Sequence, residues 1–388
     1  MIPYGRQDID ASDIAAVTSV LKSDFLTQGP QVPAFEAVIA EKTGAAHAIA
    51  VNSATSALHI AYLALGLGQG DDLWTSPITF VATANAALYC GANVRFIDID
   101  RDRYTIDLDR LEEALIEAEA NGTLPKIVAP VHLAGQSCDM IRLAALGKKY
   151  GFAIVEDASH SIGATFDGQP VGDCRYSDIC VFSFHPVKII TTAEGGVATT
   201  NNPELARQMS LLRSHGITRD ADLMTTNDGG WYYEQITLGF NYRMTELQAA
   251  LGVSQSRRLD QFIDARHERA RRYDTELGGL PLRLPFQALN QRSALHLYPV
   301  LVTDDAPVSR GELFELLRNA GIGVNLHYIP VYRQPWYRHR PGAGGERDAF
   351  PAAEDYYARA ISIPLFSGLT ETDQDFVVQT LRKALSPT

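Results

Sequence analysis

Cysteine is scarce in this chain: four in 388 residues, Cys90, Cys138, Cys174 and Cys180, with no CxxC pair and no histidine at zinc spacing. That excludes a metal-finger scaffold and a disulfide framework, and free thiols fit the cytoplasm. No run approaches eighteen consecutive apolar residues, so no membrane-spanning helix is expected. The start, Met1-Ile2-Pro3-Tyr4-Gly5-Arg6, lacks a basic region followed by an apolar core, so no secretory signal is expected either. Basic charge is in deficit as well. The net charge is −12 with no basic stripe, which argues against nucleic acid as a partner. Apolar residues at 46% and charged residues at 21% exclude disordered and collagen-like classes. The length allows two domains and a large core.

Lysine is scarce too, with seven in all, and one of them stands apart. Lys22, Lys42, Lys126, Lys148, Lys149 and Lys383 lie in polar, helix-like or connecting stretches. Lys188 follows the apolar run Ile179-Cys180-Val181-Phe182-Ser183-Phe184, which reads as a buried strand and breaks off at His185-Pro186. A second strand-like run, Val197 to Thr200, comes soon after. A lysine at the carboxyl end of such a strand sits where open α/β sheets bind ligands. Its amine, once desolvated, can be partly neutral at pH 7 and can attack a carbonyl. The plainer reading is a solvated loop lysine.

The rest of the chain alternates. Strand-like runs at His47–Val51, Leu73–Ser76, Val94–Ile99, Ile127–Leu133 and Phe152–Glu156 are separated by helical patterns at 54–66, 81–89, 107–120 and 140–150. The alternation predicts a mostly parallel α/β sheet with helices on both faces. The first strand runs into Asn52-Ser53-Ala54-Thr55-Ser56-Ala57, whose small polar residues cap a helix. Its exposed amides could equally bind a phosphate. Gly66-Leu67-Gly68-Gln69-Gly70 follows a helix and reads as a helix stop, not as a dinucleotide motif. The strand at 152–156 delivers Asp157, either a turn former or a carboxylate facing a pocket. After Pro203–Leu212, a polar loop with aromatics leads to a long helical pattern from Glu246 past Tyr273. Beyond it, Ala294–Val302, Val324–Tyr328 and Ala360–Leu365 read as strands, with helices at 309–320 and 370–385. Shorter-range mixing there suggests a smaller α+β domain, giving a large domain over 1–255 and a small one over 256–388.

An amine at 188, an acid at 157 and a helix-terminal anion site at 52–57 match the needs of pyridoxal 5′-phosphate (PLP). These groups are an amine for its aldehyde, an acid for its ring nitrogen and a cradle for its phosphate. Histidines 132, 160 and 185 share no ligand spacing, so no metal is expected.

The same stretches resemble the DegT/StrS family of PLP-dependent nucleotide-sugar aminotransferases. The likeness runs through Leu26-Thr27-Gln28-Gly29-Pro30, Asn52 to Leu58, Glu156-Asp157-Ala158-Ser159-His160, Phe182 to Lys188 and Gly239-Phe240-Asn241-Tyr242-Arg243, and covers nearly the whole chain. It implies the fold-type I, aspartate aminotransferase-like architecture. Lys188 would carry the cofactor and move the proton between the amino-acid Cα and the cofactor's C4′. Asp157 would pair with the ring nitrogen, His160 would lie near the ring's phenolic oxygen, and Phe80 would stack on the ring. Thr55, Ser56 and Ser183 would hold the phosphate with Asn241 of a neighbouring subunit, making a homodimer with shared sites. Tyr4, His185, His215, His327 and Tyr328 would contact substrate. The substrates implied are L-glutamate and a UDP-2-acetamido-2,6-dideoxy-4-keto-hexose aminated at C4. A sibling activity on another keto-sugar nucleotide, at C3 or C4, and a non-catalytic binding protein remain alternatives. A dehydratase subgroup has histidine where Lys188 stands. Leu133-Ala134-Gly135 departs from the family's more frequent Leu-Tyr-Gly.

Overall fold

The computed structural model describes residues 1–339 and 347–386. Seven strands form the central sheet: β1 (His47–Val51), β2 (Asp72–Thr75), β3 (Asn93–Phe96), β4 (Ile127–Ala129), β5 (Ala153–Asp157), β6 (Ile179–Ser183) and β7 (Gly196–Thr200). Their order across the sheet is β1-β7-β6-β5-β4-β2-β3. The pairs β2–β3, β2–β4, β4–β5 and β5–β6 are parallel, while β7 runs antiparallel to both its neighbours. The sheet is therefore mostly parallel, with one reversed strand. No helix occupies residues 184–195 between β6 and β7, and without a crossover helix an adjacent strand returns antiparallel.

Helices cover both faces, so the strands are apolar on both sides and period two divides them between two cores. Ile49, Val51, Leu73, Val155, Ile179, Val181 and Ala198 pack on the face of helix Ala54–Ala64. Ala50, Trp74, Val128, Ile154, Cys180, Phe182 and Val197 pack on the other. Truncating one of the fully buried aromatics, such as Phe182, removes about 3–5 kcal/mol.

Some elements are shorter than the apolar runs suggest. β4 stops at Ala129 because Pro130 has no N–H to donate, and pairing resumes only in a single bridge between Val131 and Asp157. Residues 324–328 do not form a strand; one bridge joins Asn325 to Ser362. The strand expected from Ala294 begins at Tyr298, after Leu295 adopts a φ of 49°. Gly66, with φ 74°, ends the helix before it, as the helix-stop reading requires.

The long helical pattern is two helices, Glu246–Ser256 and Leu259–Leu277. At the break, Arg258 is held by Asp8, Asp10 and Asp13 of the N-terminal segment. A three-stranded antiparallel sheet follows, from Leu282–Arg283, Tyr298–Val302 and Ala360–Ile363, with its own core around Tyr273, Leu313 and Val377. Packing crosses between the regions: Leu259, Phe262 and Ile263 join one core of the main sheet, and Tyr332 and Tyr356 join the other. This brings residues 325–328 over the ends of the central strands.

Candidate active site

Three strand ends converge. Asp157 closes β5 and pairs with Val181, Ser183 closes β6 opposite Gly196, and Gly196 in turn lies opposite Val51. Period two puts Asp157 and Ser183 on the face of helix Ala54–Ala64. A cavity of about 970 Å³ opens there. It brings together Tyr4, Thr55, Ser56, Phe80, Asp157, His160, Ser183, His185, Lys188, His327 and Tyr328 from six separate stretches of chain. Asn241 and His215 are not among its lining residues.

Lys188 stands on the β6–β7 connection, which is stitched into a fixed shape. The Lys188 N–H donates to the His185 carbonyl at 2.9 Å, and the Thr191 hydroxyl and Thr192 N–H both donate to the Phe184 carbonyl. Thr192 and Gln248 each donate to the Glu194 carbonyl at 2.8 Å. The Lys188 amine itself has no hydrogen bond or ion pair among the described residues. Burial pushes its pKa down to about 8, with the charge of Asp157 opposing the shift. Such an amine is a usable nucleophile and proton carrier near neutral pH.

Asp157 is held from both sides. Thr83 donates to its Oδ2 at 2.6 Å, and the hydroxyl and N–H of Ser159 donate to its Oδ1 at 2.5 and 3.2 Å. His160 is fixed in one tautomer. Its Nδ1 accepts the Ala134 N–H at 3.2 Å, so Nε2 carries the proton and donates to the Tyr328 hydroxyl at 3.1 Å. The departure at Ala134 thus lies in a tight turn (φ 60°) whose backbone, not its side chain, serves the site. Burial, then the Lys188 charge, drives the pKa of His160 well below the usual imidazole value. The same two causes push His327 down to about 3. Both imidazoles are neutral at pH 7. His327 is anchored by Ser362 at 2.9 Å, and the Tyr4 ring packs 5.2 Å from it.

At the other wall, Ser53 caps helix Ala54–Ala64 by accepting the Ser56 N–H at 3.1 Å, and Ser56 donates to Asn52 Oδ1 at 2.7 Å. Helix N-termini of this kind favour anions. Gly196 lets the helix start approach the sheet. A Cβ there would sit 2.5 Å from the Ala54 nitrogen and the Ser53 carbonyl group.

Asn241 and His215 lie together elsewhere. Asn241 bridges to Ser214, and His215 borders a separate hollow with Arg219, Tyr233 and Arg243. Among the described residues, no acidic side chain lines that hollow.

Sequence reading passed over Thr83, Ser159, His296 and Asn325. Thr83 and Ser159 carry a signal in hindsight, being hydroxyl residues three after Phe80 and two after Asp157. His296 and Asn325 carry none, since they reach the cavity only through the packing of the C-terminal region.

The residues present fit PLP. A free amine with lowered pKa, a clamped acid and a helix N-terminus share one cavity. Phe80, 59% exposed, offers it an uncovered aromatic face. Bound there, PLP supplies an aldehyde for amines and a ring that accepts electrons from a carbon losing its proton. Asp157 would then stabilise the protonated ring nitrogen, and Lys188 would take up and return the proton at the reacting carbon.

Comparisons with known proteins agree. Residues 7–382 match the DegT/DnrJ/EryC1/StrS aminotransferase family. The UDP-4-amino-4,6-dideoxy-N-acetyl-beta-L-altrosamine transaminase of Campylobacter jejuni (serotype O:23/36) is 40% identical over 382 residues, covering 98% of this chain and 96% of that one. Helicobacter pylori PseC, an aminotransferase involved in the biosynthesis of pseudoaminic acid, superposes with a TM-score of 0.90 at 32% identity over 99% of each chain. Spr1654 of Streptococcus pneumoniae, named as a sugar aminotransferase and solved in its PLP form, gives a TM-score of 0.88 at 29% identity, covering 99% and 100%. With the lysine, the acid and the anion cradle in one cavity, this chain belongs to the DegT/DnrJ/EryC1/StrS aminotransferase family and is a PLP-dependent sugar aminotransferase of fold-type I.

Proposed function

We propose that the enzyme moves the amino group of L-glutamate to C4 of a UDP-2-acetamido-2,6-dideoxy-4-keto-hexose, giving UDP-4-amino-4,6-dideoxy-N-acetyl-β-L-altrosamine, a step of pseudaminic acid biosynthesis. The observation that carries this reading is the 40% identity, over nearly the full length of both chains, to the Campylobacter transaminase of that name. The cavity is compatible with it. Lys188 is its one cationic side chain among the described residues, and a pKa near 8 suits proton uptake and return in both half-reactions. Phe80 would cover the cofactor ring, and Thr55, Ser56 and Ser183 would hold the phosphate. Tyr4, His185, His327 and Tyr328 would meet the sugar nucleotide as the region beyond residue 256 closes over it.

The substrates carry carboxylates and a diphosphate, yet among the described residues no arginine lines the cavity. Arg219 and Arg243, beside Asn241 and His215, face a hollow with no acid among its described lining residues. This supports a homodimer in which Asn241 and His215 of the partner subunit complete each site. Exposed Ile14, Leu21, Phe25 and Leu26 offer an apolar surface for such pairing. The four free thiols support a cytoplasmic setting.

Two experiments test the reading. In single turnovers, L-glutamate should bleach the enzyme's visible absorbance and the named UDP-keto-sugar should restore it. Restoration only by another keto-sugar in a panel would assign a sibling activity. Mixing inactive Lys188→Ala with inactive Asn241→Ala should regain part of the activity through hybrid dimers. A dead mixture despite subunit exchange would place Asn241 outside the partner's site.

A further inference from the structure

We propose that Thr83, backed by Thr79, is a positioning residue for the reaction: its hydroxyl fixes the plane of the Asp157 carboxylate that meets the cofactor's ring nitrogen. The proposal rests on PLP occupying the cavity and is independent of which sugar is aminated.

Thr83 Oγ1 lies 2.6 Å from Asp157 Oδ2 and 2.8 Å from Thr79 Oγ1. A hydroxyl has a single proton, and a carboxylate only accepts. The Thr83 proton therefore goes to Asp157, and Thr79 must donate to Thr83. The chain of bonds runs one way, from Thr79 through Thr83 to Asp157. The competing acceptor for Thr83, the Phe80 carbonyl, is 3.4 Å away, too far for a strong bond. All three side chains are buried, Thr79 at 2%, Thr83 at 0% and Asp157 at 5% exposure, so bulk water does not replace a lost partner.

The clamp has two jaws on different elements. Thr83 comes from helix Ala82–Tyr89, whereas Ser159 grips Oδ1 from the turn after β5. The jaws are unequal. Without the Ser159 hydroxyl, its N–H still donates to Oδ1, but nothing else described donates to Oδ2. Thr83 is also tied to its surroundings, since its carbonyl accepts the Tyr62 hydroxyl at 3.3 Å. The helix start that carries Phe80 and the acid facing the ring nitrogen are thereby joined into one unit. A hydrogen bond to an ionised acceptor is roughly twice as strong as a neutral one, so the Thr83–Asp157 bond is the stronger link in the chain from Thr79 to Asp157.

The test reads cofactor affinity, not turnover. Full-length enzyme depleted of PLP is titrated with PLP, and the dissociation constant is followed by the visible absorbance that develops. Thr83→Val should weaken binding roughly tenfold, the lower end for losing a hydrogen bond to a charged group. Thr83→Ser, which keeps the hydroxyl, should stay within about twofold of the wild type. A merely structural role is separated by a double-mutant cycle with Asp157→Asn. With no carboxylate to orient, adding Thr83→Val should change the constant little. An unchanged constant in the single variant, or an equal loss in both backgrounds, overturns the proposal. Should Thr83→Val fail to fold, Thr79→Val enters the same cycle, with a smaller weakening expected and the same two outcomes deciding.

Discussion

His160 and Tyr328 are joined across the cavity by a hydrogen bond of 3.1 Å, imidazole Nε2 donating to phenolic oxygen. One residue belongs to the turn after β5 and the other to the C-terminal region, so the bond closes the site. Because Nδ1 already accepts the Ala134 N–H, Tyr328→Phe leaves a buried Nε2–H without its acceptor. The expected loss of stability is about 1–3 kcal/mol, measured by urea unfolding of the PLP-depleted protein. A loss below about 0.5 kcal/mol would mean the imidazole has another acceptor.

Lys188 makes the empty site costly. Its pKa is about 8 in the folded chain against about 10.4 unfolded. Between those values the unfolded state binds more protons, so stability rises with pH there; below pH 8 the burial cost is fully present. Lys188→Met should therefore stabilise the PLP-depleted protein at pH 7, on the order of 2 kcal/mol, with the advantage shrinking towards pH 10. Denaturation curves of both proteins at the two pH values check this. An advantage that grows with pH would contradict it.

Asp157→Asn keeps the shape of the side chain but cannot hold the ring nitrogen protonated. Both half-reactions should slow by on the order of 10² or more. Single-turnover rates with L-glutamate, and then with the keto-sugar, read the halves separately. Slowing of only one half would confine the acid to that half.

Gly196→Ala drives a methyl group into the Ser53–Ala54 backbone, 2.5 Å from the Ala54 nitrogen. The helix start must move away from the sheet. PLP and inorganic phosphate should both bind more weakly, and overpacking should destabilise the chain by about 1–3 kcal/mol. Calorimetric titration with phosphate isolates the anion site, and unchanged phosphate affinity would remove the helix start from that role.

Much of this enzyme was already decided by local patterns in the sequence. The apolar runs of β1, β5 and β6 are buried on both faces, so the chain must place them inside a sheet covered by helices. Lys188 was legible because a lone lysine after such a run conflicts with its surroundings, and Asp157 because it follows directly on β5. Other features belonged to the tertiary structure alone. The direction of β7 depends on what lies between strands. Nothing local announces that Thr83 reaches Asp157, 74 positions away, or that residues 325–328, weakly strand-like in sequence, close the cavity instead of joining a sheet. His215 shows the same divide: the resemblance grouped it with the site, but the folded chain places it at another hollow, beside the Ser214–Asn241 bridge. Burial, strand period and capping act over a few residues and can be read from them. Which side chains share a cavity, and what pKa Lys188 takes there, depends on groups brought together only when the whole chain has folded.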